Sequence, residues 1–344
     1  MTEVAPVWKD ERYSRQTRFA GLGEEGQKRL ANSRVAIVGC GALGTAQAEL
    51  LARAGVGTIR VIDRDYVERS NLQRQLLFDE QDAASGLPKA IAAANHLRAI
   101  NTSIAIDPVV ADLIAPNIEH LLNDVQLILD GTDNFETRFL INDFAVDRNL
   151  PWVYGAAVGS FGMKMPVIPG RTCCLSCMKS AAPTSAQPTC ETSGVLGSIT
   201  AVIGALQVAD ALKILACGPE SVAAQITTID VWSGEVVQFP EPPANPECPT
   251  CGRREFPYLK GGYRAPITLC GHNAVQIYDE TRTLDLRELG ERLQAAGSVR
   301  ANDFALRFDI PPYQMTIFPD GRAIIKGTVD IGVARSLYSK YIGD

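Results

Sequence analysis

The sequence predicts an α/β fold: a doubly wound, mostly parallel sheet with a cysteine-rich metal knuckle and a small C-terminal α+β domain. Short apolar runs alternate with helical patterns in the first half of the chain, which is typical of a parallel sheet covered by helices on both faces. A glycine-rich turn joins the first apolar run to a helical pattern. From about residue 264, closely spaced strand patterns and two helical segments indicate a separate, smaller domain.

The first elements form a strand, turn, helix and strand. Residues 35–38 predict a buried strand, residues 45–56 a helix and residues 58–63 a second strand. Glycines let the backbone approach a phosphate at the start of a helix, and an acid ending the second strand can bind ribose hydroxyls. We therefore predict a Rossmann-like nucleotide site that uses Gly39, Gly41, Gly44 and Asp63. This motif alone does not distinguish NAD from ATP.

The alternation continues through the next hundred residues. The remaining elements predicted for this domain are helices at 24–33, 88–100 and about 195–215, and strands at 104–110, 125–130 and 150–158. Residues 192–209 carry no charge and are long enough to cross a bilayer. They also contain several polar residues and glycines, and Asp210 and Lys213 follow in the same helical pattern. We therefore predict a buried core helix there and no membrane association.

Cations and amides after the ribose acid favour ATP over NAD. A triphosphate must be cradled and neutralised, whereas a dinucleotide has little use for so many cations. Asp133 follows the strand at 125–130, at the sheet edge where ligands bind in open α/β folds, and an acid there suits Mg²⁺. The predicted nucleotide-binding side chains beyond Asp63 are Asp65, Asn71, Arg74, Gln75, Lys89, Asp133 and Asn134.

Five segments together resemble the MoeB/ThiF family, bacterial enzymes that adenylate ubiquitin-like sulfur-carrier proteins and are related to ubiquitin-activating enzymes. The segments are RYSRQ, GCGALG, DRDYVERSNLQRQ, LPKA and TDN, and the resemblance covers about residues 11–252. Ala42 departs from the pattern, because many members have glycine at that position.

The resemblance implies a role for each matching residue. It puts Gly41 at the phosphates, Asp63 on the ribose and Mg²⁺ on Asp133. Arg15 would be an arginine finger that reaches into the partner subunit's site, which implies a homodimer. The triphosphate would be held by Asn71, Arg74 and Lys89.

The implied activity is ATP-dependent adenylylation of a carrier's C-terminal glycine carboxylate. The carrier would be a ThiS-like or MoaD-like protein ending in Gly-Gly, in thiamine or molybdopterin biosynthesis. A sulfur donor, such as a cysteine desulfurase or a rhodanese, would then allow formation of a thiocarboxylate. The sequence does not identify the carrier or the donor.

Two C-x₂-C pairs predict a structural zinc site. Four thiolates at this local spacing suit tetrahedral Zn²⁺, about one ion per chain, and a closed Cys₄ site stabilises the fold rather than catalysing a reaction. The predicted ligands are Cys174, Cys177, Cys248 and Cys251, and the resemblance supports the same set. Cys173 leaves a register ambiguity, although its spacing to Cys177 is poorer.

Cys190 is a candidate nucleophile, because it immediately precedes the helix predicted at about 195–215 and a helix N-terminus can lower the pKa of a thiol. In ThiF-like members the matching cysteine can form a covalent link to the carrier, whereas in MoeB-like members it is dispensable. An idle loop cysteine is the alternative. Cys40 and Cys217 lie in apolar patterns, and we expect both to be packing residues.

The expected organisation is an ATP-binding domain over residues 1–255 and a small α+β domain over residues 264–344. A proline-rich linker at 239–249 carries the second knuckle. The small domain is predicted to contain strands at 273–279, 305–310 and 313–319, a hairpin turn at Asp320-Gly321 that leads into a strand at 322–327, and helices at 285–297 and 333–342. Its role is open between a solubilising cap and a docking surface for the carrier.

Composition excludes several classes of protein. The net charge is −6, which argues against the broad basic face of a duplex-DNA-binding protein, so we expect no nucleic-acid partner. The N-terminus has no apolar segment typical of a secretory signal, so we expect a cytoplasmic enzyme. One alternative is an NAD-dependent oxidoreductase, but none of the three histidines has a recognisable catalytic context. The other is a non-catalytic subunit, although such subunits tend to lose the nucleotide residues that this chain retains.

Overall fold

A computed structural model describes residues 7–179, 193–261, 268–269, 273–279, 282–301 and 305–343. The described residues divide into two compact units, one ending at residue 261 and the other beginning at residue 268.

The first unit is built on one eight-stranded sheet. Its strand order is β3-β2-β1-β4-β5-β6-β7-β8. The first five strands in this order pair in parallel, and each neighbouring pair from β5 to β8 is antiparallel. The predicted mostly parallel, doubly wound sheet is therefore confirmed, and the antiparallel extension is an addition to it. The strands are β1 Arg34–Val38, β2 Thr58–Ile62, β3 Ala105–Val109, β4 Leu127–Asp130, β5 Trp152–Val158, β6 Phe161–Val167, β7 Gln225–Asp230 and β8 Glu235–Pro240.

Helices cover both faces of this sheet. Alternate residues of β1 enter different cores: Val35 and Ile37 pack in one apolar cluster, and Ala36 and Val38 pack in the other. A strand buried on both faces explains the continuous apolar run in the sequence. The helices are α1 Ser14–Thr17, α2 Gly23–Ala31, α3 Ala42–Ala54, α4 Glu80–Ser85, α5 Lys89–Ile100, α6 Ala115–Leu122, α7 Phe135–Asp147, α8 Leu175–Met178 and α9 Gly197–Cys217.

Helix α9 is the apolar segment noted in the sequence. Within the described residues it is the one helix whose length and composition would allow it to cross a bilayer. In the structure it packs against α2, α3, β5 and β6, and its buried Asp210 forms an ion pair with Lys164 of β6. The segment is thus a core helix of the first unit, as predicted.

The second unit is a smaller α+β structure. Its strand order is β11-β12-β13-β14-β10-β9, with every neighbouring pair antiparallel. Side chains from both helices and from the sheet, among them Leu289, Phe308 and Tyr338, form its apolar core. The elements are β9 Thr268–Leu269, β10 Ala274–Ile277, α10 Leu286–Leu293, β11 Ser298–Ala301, β12 Leu306–Ile310, β13 Tyr313–Ile317, β14 Ala323–Lys326 and α11 Ile331–Tyr341.

Candidate functional site

The glycine turn connects β1 to α3 and lies against the turn that follows β4. Gly39 has φ +89°, and a Cβ there would lie 2.5 Å from the carbonyl oxygen of Gly131. A Cβ on Gly44 would collide with the carbonyl oxygen of Gly39. Gly41 is different, because the atom nearest to its Cβ position is 3.9 Å away. Two of the glycines are therefore required by packing, while the third leaves space at the start of α3 for a ligand to approach.

Asp63 follows β2 and is hydrogen-bonded to the glycine turn. Its Oδ2 accepts the backbone N–H of Cys40 at 2.6 Å, and its Oδ1 accepts that of Asp65 at 2.7 Å. Burial raises the pKa of Asp63 to about 6, and the Asp65 carboxylate adds to this effect. The Lys89 ammonium and the two N–H donors partly offset it. Asp63 is thus an ordered carboxylate, mainly ionised at neutral pH.

Two cations, the buried Lys89 and the partly buried Arg64, face a group of carboxylates beside Asp63. Lys89 begins α5, and its Nζ lies 3.3 Å from Oδ2 of Asp65. Burial lowers the pKa of Lys89, but the carboxylates of Asp65, Asp63 and Asp133 raise it by more, so its pKa lies above the ordinary value. Arg64 pairs with Asp112 at 2.9 Å; burial lowers the pKa of Arg64, but the carboxylates of Asp112, Asp65 and Asp133 raise it by more. Asp133 is therefore close enough to interact with both cations.

Asp133 is presented by a tightly bonded turn after β4. The carboxylate of buried Asp130 accepts the backbone N–H of Thr132 at 2.9 Å and its hydroxyl at 2.7 Å. The same carboxylate pairs with Nε of Arg138 at 2.9 Å, and the Arg138 Nη2 donates to the carbonyl of Thr132 at 2.7 Å. Asp133 itself is exposed. Its carboxylate oxygens are hard donors of the kind that Mg²⁺ prefers, so the residue fits a magnesium site.

Asn134 has a local structural task. Its side-chain oxygen accepts the backbone N–H of Thr137 at 2.8 Å and thereby caps the N-terminus of α7. The cap leaves the amide nitrogen and a second lone pair of this oxygen for any contact with a nucleotide.

The segment 69–75 contributes the predicted amides and one cation. Asn71 is buried, and its Oδ1 accepts the backbone N–H of Glu68 at 3.0 Å. Arg74 is partly exposed, and its Nη1 donates to the carbonyl of Ser70 at 2.8 Å. Gln75 is buried, and its Nε2 lies 4.0 Å from the Cβ position of Gly41, while its Oε1 has no partner among the described residues. Gln75 thus faces the space in front of α3.

Arg15 lies at the other end of α3 from the glycine turn. Two contacts anchor its segment there. Nε2 of Gln16 donates to the carbonyl of Ala54 at 2.8 Å, and Nδ2 of Asn101 donates to the hydroxyl of buried Tyr13 at 2.8 Å. Helix α3 has 13 residues and is therefore about 20 Å long. Arg15 is exposed and pairs with no other residue that the structure describes. Its own glycine turn is far from the point where its segment is anchored.

The four predicted zinc ligands converge in space. The Sγ atoms of Cys174 and Cys177 are 3.9 Å apart, those of Cys174 and Cys248 are 3.6 Å apart, and those of Cys177 and Cys251 are 3.3 Å apart. All four lie within 4.8 Å of one another. Tetrahedral Zn–S bonds of about 2.3 Å require sulfurs about 3.8 Å apart, so the set fits Zn²⁺. Cys173 is not in the cluster; its Sγ lies 3.6 Å from Oε2 of Glu241.

Two adjacent polar residues of α7 support this cluster. Asn142 accepts the backbone N–H of Leu175 at 2.9 Å, next to the first cysteine pair. Asp143 accepts the hydroxyl of Thr250 at 2.6 Å, between the cysteines of the second pair. Both side chains are fully buried. The helix therefore holds the two knuckles in register, which is the kind of surrounding support that metal ligands require.

The other singled-out cysteines lie elsewhere. Cys190 is outside the described residues. Cys40 is buried, in agreement with a packing role, but the packing prediction for Cys217 is wrong. Cys217 is the last residue of α9 and is exposed, and its thiol donates to the carbonyl of Gly21 at 3.3 Å. An apolar sequence pattern does not indicate which side of the final helical turn faces solvent.

Comparison with known proteins identifies relatives along nearly the whole chain. A model of the ThiF family matches residues 13–250. The sulfur carrier protein ThiS adenylyltransferase of Bacillus subtilis is 43% identical over 336 residues, which cover 96% of this chain and 99% of the relative. The SAMP-activating enzyme E1 of Haloferax volcanii is 36% identical over 242 residues, covering 70% of this chain and 88% of the relative.

A solved structure has the same fold at lower sequence identity. The chain superposes on E. coli MccB, crystallised with MccA-N7isoASN, with a TM-score of 0.62 and 24% identity. The match covers 71% of this chain and 76% of that chain.

Proposed function

The chain belongs to the ThiF family, and on that premise we propose that it uses ATP and Mg²⁺ to adenylate the C-terminal carboxylate of a ThiS-like sulfur-carrier protein. The observation that carries the choice of carrier is the match to the Bacillus subtilis ThiS adenylyltransferase, which extends over almost all of both chains. That match includes the region of the second unit, whereas the Haloferax enzyme matches a shorter part of this chain. The comparisons favour neither an oxidoreductase nor a non-catalytic subunit.

Adenylylation makes a carboxylate reactive by giving it a leaving group. A carrier carboxylate oxygen attacks the α-phosphorus of ATP, a new P–O bond forms, and the bond from the α-phosphorus to its bridging oxygen breaks. Pyrophosphate leaves with the electron pair, and no proton is transferred. The products are an acyl-adenylate and pyrophosphate. Both reactants are anions, so the site must offset their repulsion and the charge that develops during transfer.

The side chains around the glycine turn are suited to that task. The open approach at Gly41 admits phosphates to the N-terminus of α3, where backbone N–H groups favour anions. We assign the ribose hydroxyls to Asp63 and the phosphate oxygens to Lys89 and Arg74. Asp133 would hold Mg²⁺, which supplies further neutralisation of phosphate charge when it is bound. The raised pKa of Lys89 supports this assignment, because it keeps the ammonium charged at neutral pH.

Arg15 completes the site in our proposal only if a second subunit supplies it. Its segment is anchored at the far end of α3, about 20 Å from the glycine turn of the same chain. An exposed guanidinium at that position can instead serve a neighbouring subunit, which supports a homodimer.

The remaining parts of the proposal concern structure and sulfur chemistry. The four clustered cysteines would hold one structural Zn²⁺ and fasten residues 248–251 to the core beside α7. A sulfur donor, such as a cysteine desulfurase or a rhodanese, would convert the acyl-adenylate to a thiocarboxylate, directly or through Cys190. We expect the enzyme to work in the cytoplasm.

The deciding experiment incubates the purified protein with ATP, Mg²⁺ and either a ThiS-like or a MoaD-like carrier. Intact mass spectrometry should show an added adenylyl group on the ThiS-like carrier, and pyrophosphate exchange should depend on it. A carrier that lacks its last glycine is the control, and the Lys89→Ala variant should lose at least about a hundredfold in rate. Modification of the MoaD-like carrier alone would overturn the choice of carrier, and modification of neither would overturn the activity.

A further inference from the structure

Two buried glutamines meet at one main-chain carbonyl beside the nucleotide site. Nε2 of Gln47, on α3, donates to the carbonyl oxygen of Asp130 at 2.9 Å and to Oε1 of Gln207 at 2.6 Å. Nε2 of Gln207, on α9, donates to the same Asp130 carbonyl and to the carbonyl of Val153, both at 2.9 Å. Both glutamines are fully buried. The pair therefore joins two helices to the end of β4 and the start of β5.

Gln207 fills a gap in the sheet. Strands β4 and β5 pair through Ile128 and Leu129, and beyond that point the Asp130 and Val153 carbonyls take their donor from this side chain. A Cβ on Gly155 would collide with the amide group of Gln207, so the glycine leaves room for it. The helix thus reaches into the sheet where β4 ends and the turn carrying Asp133 begins.

Stability alone does not explain this pair. The Oε1 of Gln47 is buried and has no partner among the described residues, and an unsatisfied buried polar atom costs about 1–3 kcal/mol. Replacing a buried polar pair by apolar residues of similar shape is often neutral or stabilising. The protein retains this energetic cost beside the nucleotide site, which indicates that the site needs the two glutamines for a reason other than stability.

The requirement is the conformation of the turn after β4. With its carbonyl fixed by two amides and its carboxylate bonded to Thr132 and Arg138, Asp130 has little freedom to rotate. Gly131, the next residue, donates to the carbonyl of Val38 at 2.8 Å. The main chain that delivers Asp133 is therefore fixed from several directions.

We propose that Gln207, together with Gln47, is a positioning residue that sets the Asp133 carboxylate for magnesium-bound ATP. The inference rests on the proposed function, because it takes Asp133 as the magnesium residue. It adds a role for α9, which otherwise reads as a core helix. Without the amides the turn should sample other conformations, so the carboxylate would meet the cation less often and the benefit of Mg²⁺ to ATP binding should shrink.

The test measures ATP binding by calorimetry with Mg²⁺ and with EDTA. The magnesium ratio is the dissociation constant in EDTA divided by the dissociation constant in Mg²⁺. We expect the Gln207→Met variant to reduce the wild-type ratio by at least threefold while binding ATP in EDTA about as tightly as wild type. Amide hydrogen exchange at residues 130–133 should become faster. Gln47→Met removes the second donor and should act in the same direction, so it decides the matter if Gln207→Met does not fold.

Gln27→Met is the matched control. Gln27 is also a fully buried glutamine that donates to a main-chain carbonyl, that of Ala54 at 2.9 Å, but at the far end of α3. Its loss should lower the melting temperature and leave the magnesium ratio unchanged. A purely structural role for Gln207 would give the same result as this control, and a wild-type ratio in folded Gln207→Met or Gln47→Met would overturn the inference.

Asp133→Ala separates this inference from the assignment beneath it. If Asp133 is the magnesium residue, Mg²⁺ should no longer strengthen ATP binding by the Asp133→Ala variant. Adding Gln207→Met to this variant should then change the ratio no further. If Asp133→Ala keeps the wild-type ratio, the magnesium assignment is wrong and the inference falls with it. If Asp133→Ala loses the ratio while both glutamine variants keep it, the positioning role alone is wrong.

Discussion

The backbone N–H of Cys40 donates to the Asp63 carboxylate at 2.6 Å, and this bond makes the glycine turn and the acid that we assign to the ribose one structural unit. The turn and the acid belong to consecutive parallel strands, β1 and β2. A ligand that contacts the glycine turn is therefore held in a fixed register with the carboxylate. Loss of the charge on Asp63 should disturb nucleotide binding through both contacts.

The pKa of Asp63 leads to a pH-dependent prediction. Because this pKa is about 6 and ribose hydroxyls donate best to a carboxylate, ATP affinity should weaken as the pH falls from 7 to 5, by about tenfold at pH 5. ATP has its own titration, so the comparison is with Asp63→Asn under the same conditions. The ratio of the two dissociation constants should approach one at low pH. Parallel pH profiles would contradict the ribose assignment.

The same shift has an opposite consequence for stability without nucleotide. The folded-state pKa of Asp63 lies above the ordinary carboxyl value of 3.8, so the folded protein binds this proton more tightly than the unfolded chain does. The contribution of Asp63 to stability should therefore fall as the pH rises from about 4 to about 6. The free energy of unfolding should be measured by denaturant titration at each pH for wild type and Asp63→Asn. Plotted against pH, the two free energies should differ in slope over that window and run parallel above it.

The cysteine cluster gives a prediction about metal content and stability. The purified protein should contain about one Zn²⁺ per chain, and Cys248→Ser should lose the metal and melt at a lower temperature, by about 2–4 °C for each kcal/mol lost. Cys217→Ser is the matched control, since this thiol is exposed and outside the cluster. A folded, active wild-type preparation without zinc would show that the four thiols serve another purpose.

How much the sequence predicts depends on how local each feature is. The glycine turn and Asp63 can be predicted because their spacing along two adjacent strands already places them at one edge. Asp130, Arg138 and Gln207 cannot, since their roles arise from contacts between distant segments that no local pattern encodes.

The antiparallel extension illustrates the same limit. Strand β6 contains Lys164, whose charge interrupts the apolar pattern expected of a buried strand. In the folded protein Lys164 is buried because Asp210 of α9 neutralises it. Strand β8, with the sequence EVVQFP, is exposed along its whole length. Its sequence also lacks the strict alternation of apolar and polar residues by which a half-buried strand is identified. The burial of Lys164 is therefore explained by a tertiary partner that no local pattern encodes.

Cys190 should matter only after adenylylation. The first step transfers an adenylyl group to a carboxylate and needs no thiol, so Cys190→Ser should retain pyrophosphate exchange at close to the wild-type rate. If the thiol is the route to sulfur, formation of the thiocarboxylate should fall at least about tenfold, while the Cys217→Ser control should retain both activities. Loss of exchange in Cys190→Ser would instead assign the residue to the nucleotide step or to the fold.

Arg15 and Asp133 should complement each other between subunits. Arg15→Ala and Asp133→Ala should each be inactive alone, but in a mixed dimer one site keeps its own Asp133 and receives Arg15 from the partner subunit. With equal amounts and free exchange, half of the dimers are mixed and each has one intact site, so about a quarter of wild-type activity should return. We expect this because the Arg15 segment is anchored at the far end of α3, about 20 Å from the glycine turn of its own chain. An arginine side chain does not span that distance. Native mass spectrometry verifies the exchange, and a mixture that exchanges without recovering pyrophosphate exchange activity would place Arg15 in the site of its own chain or outside the site altogether.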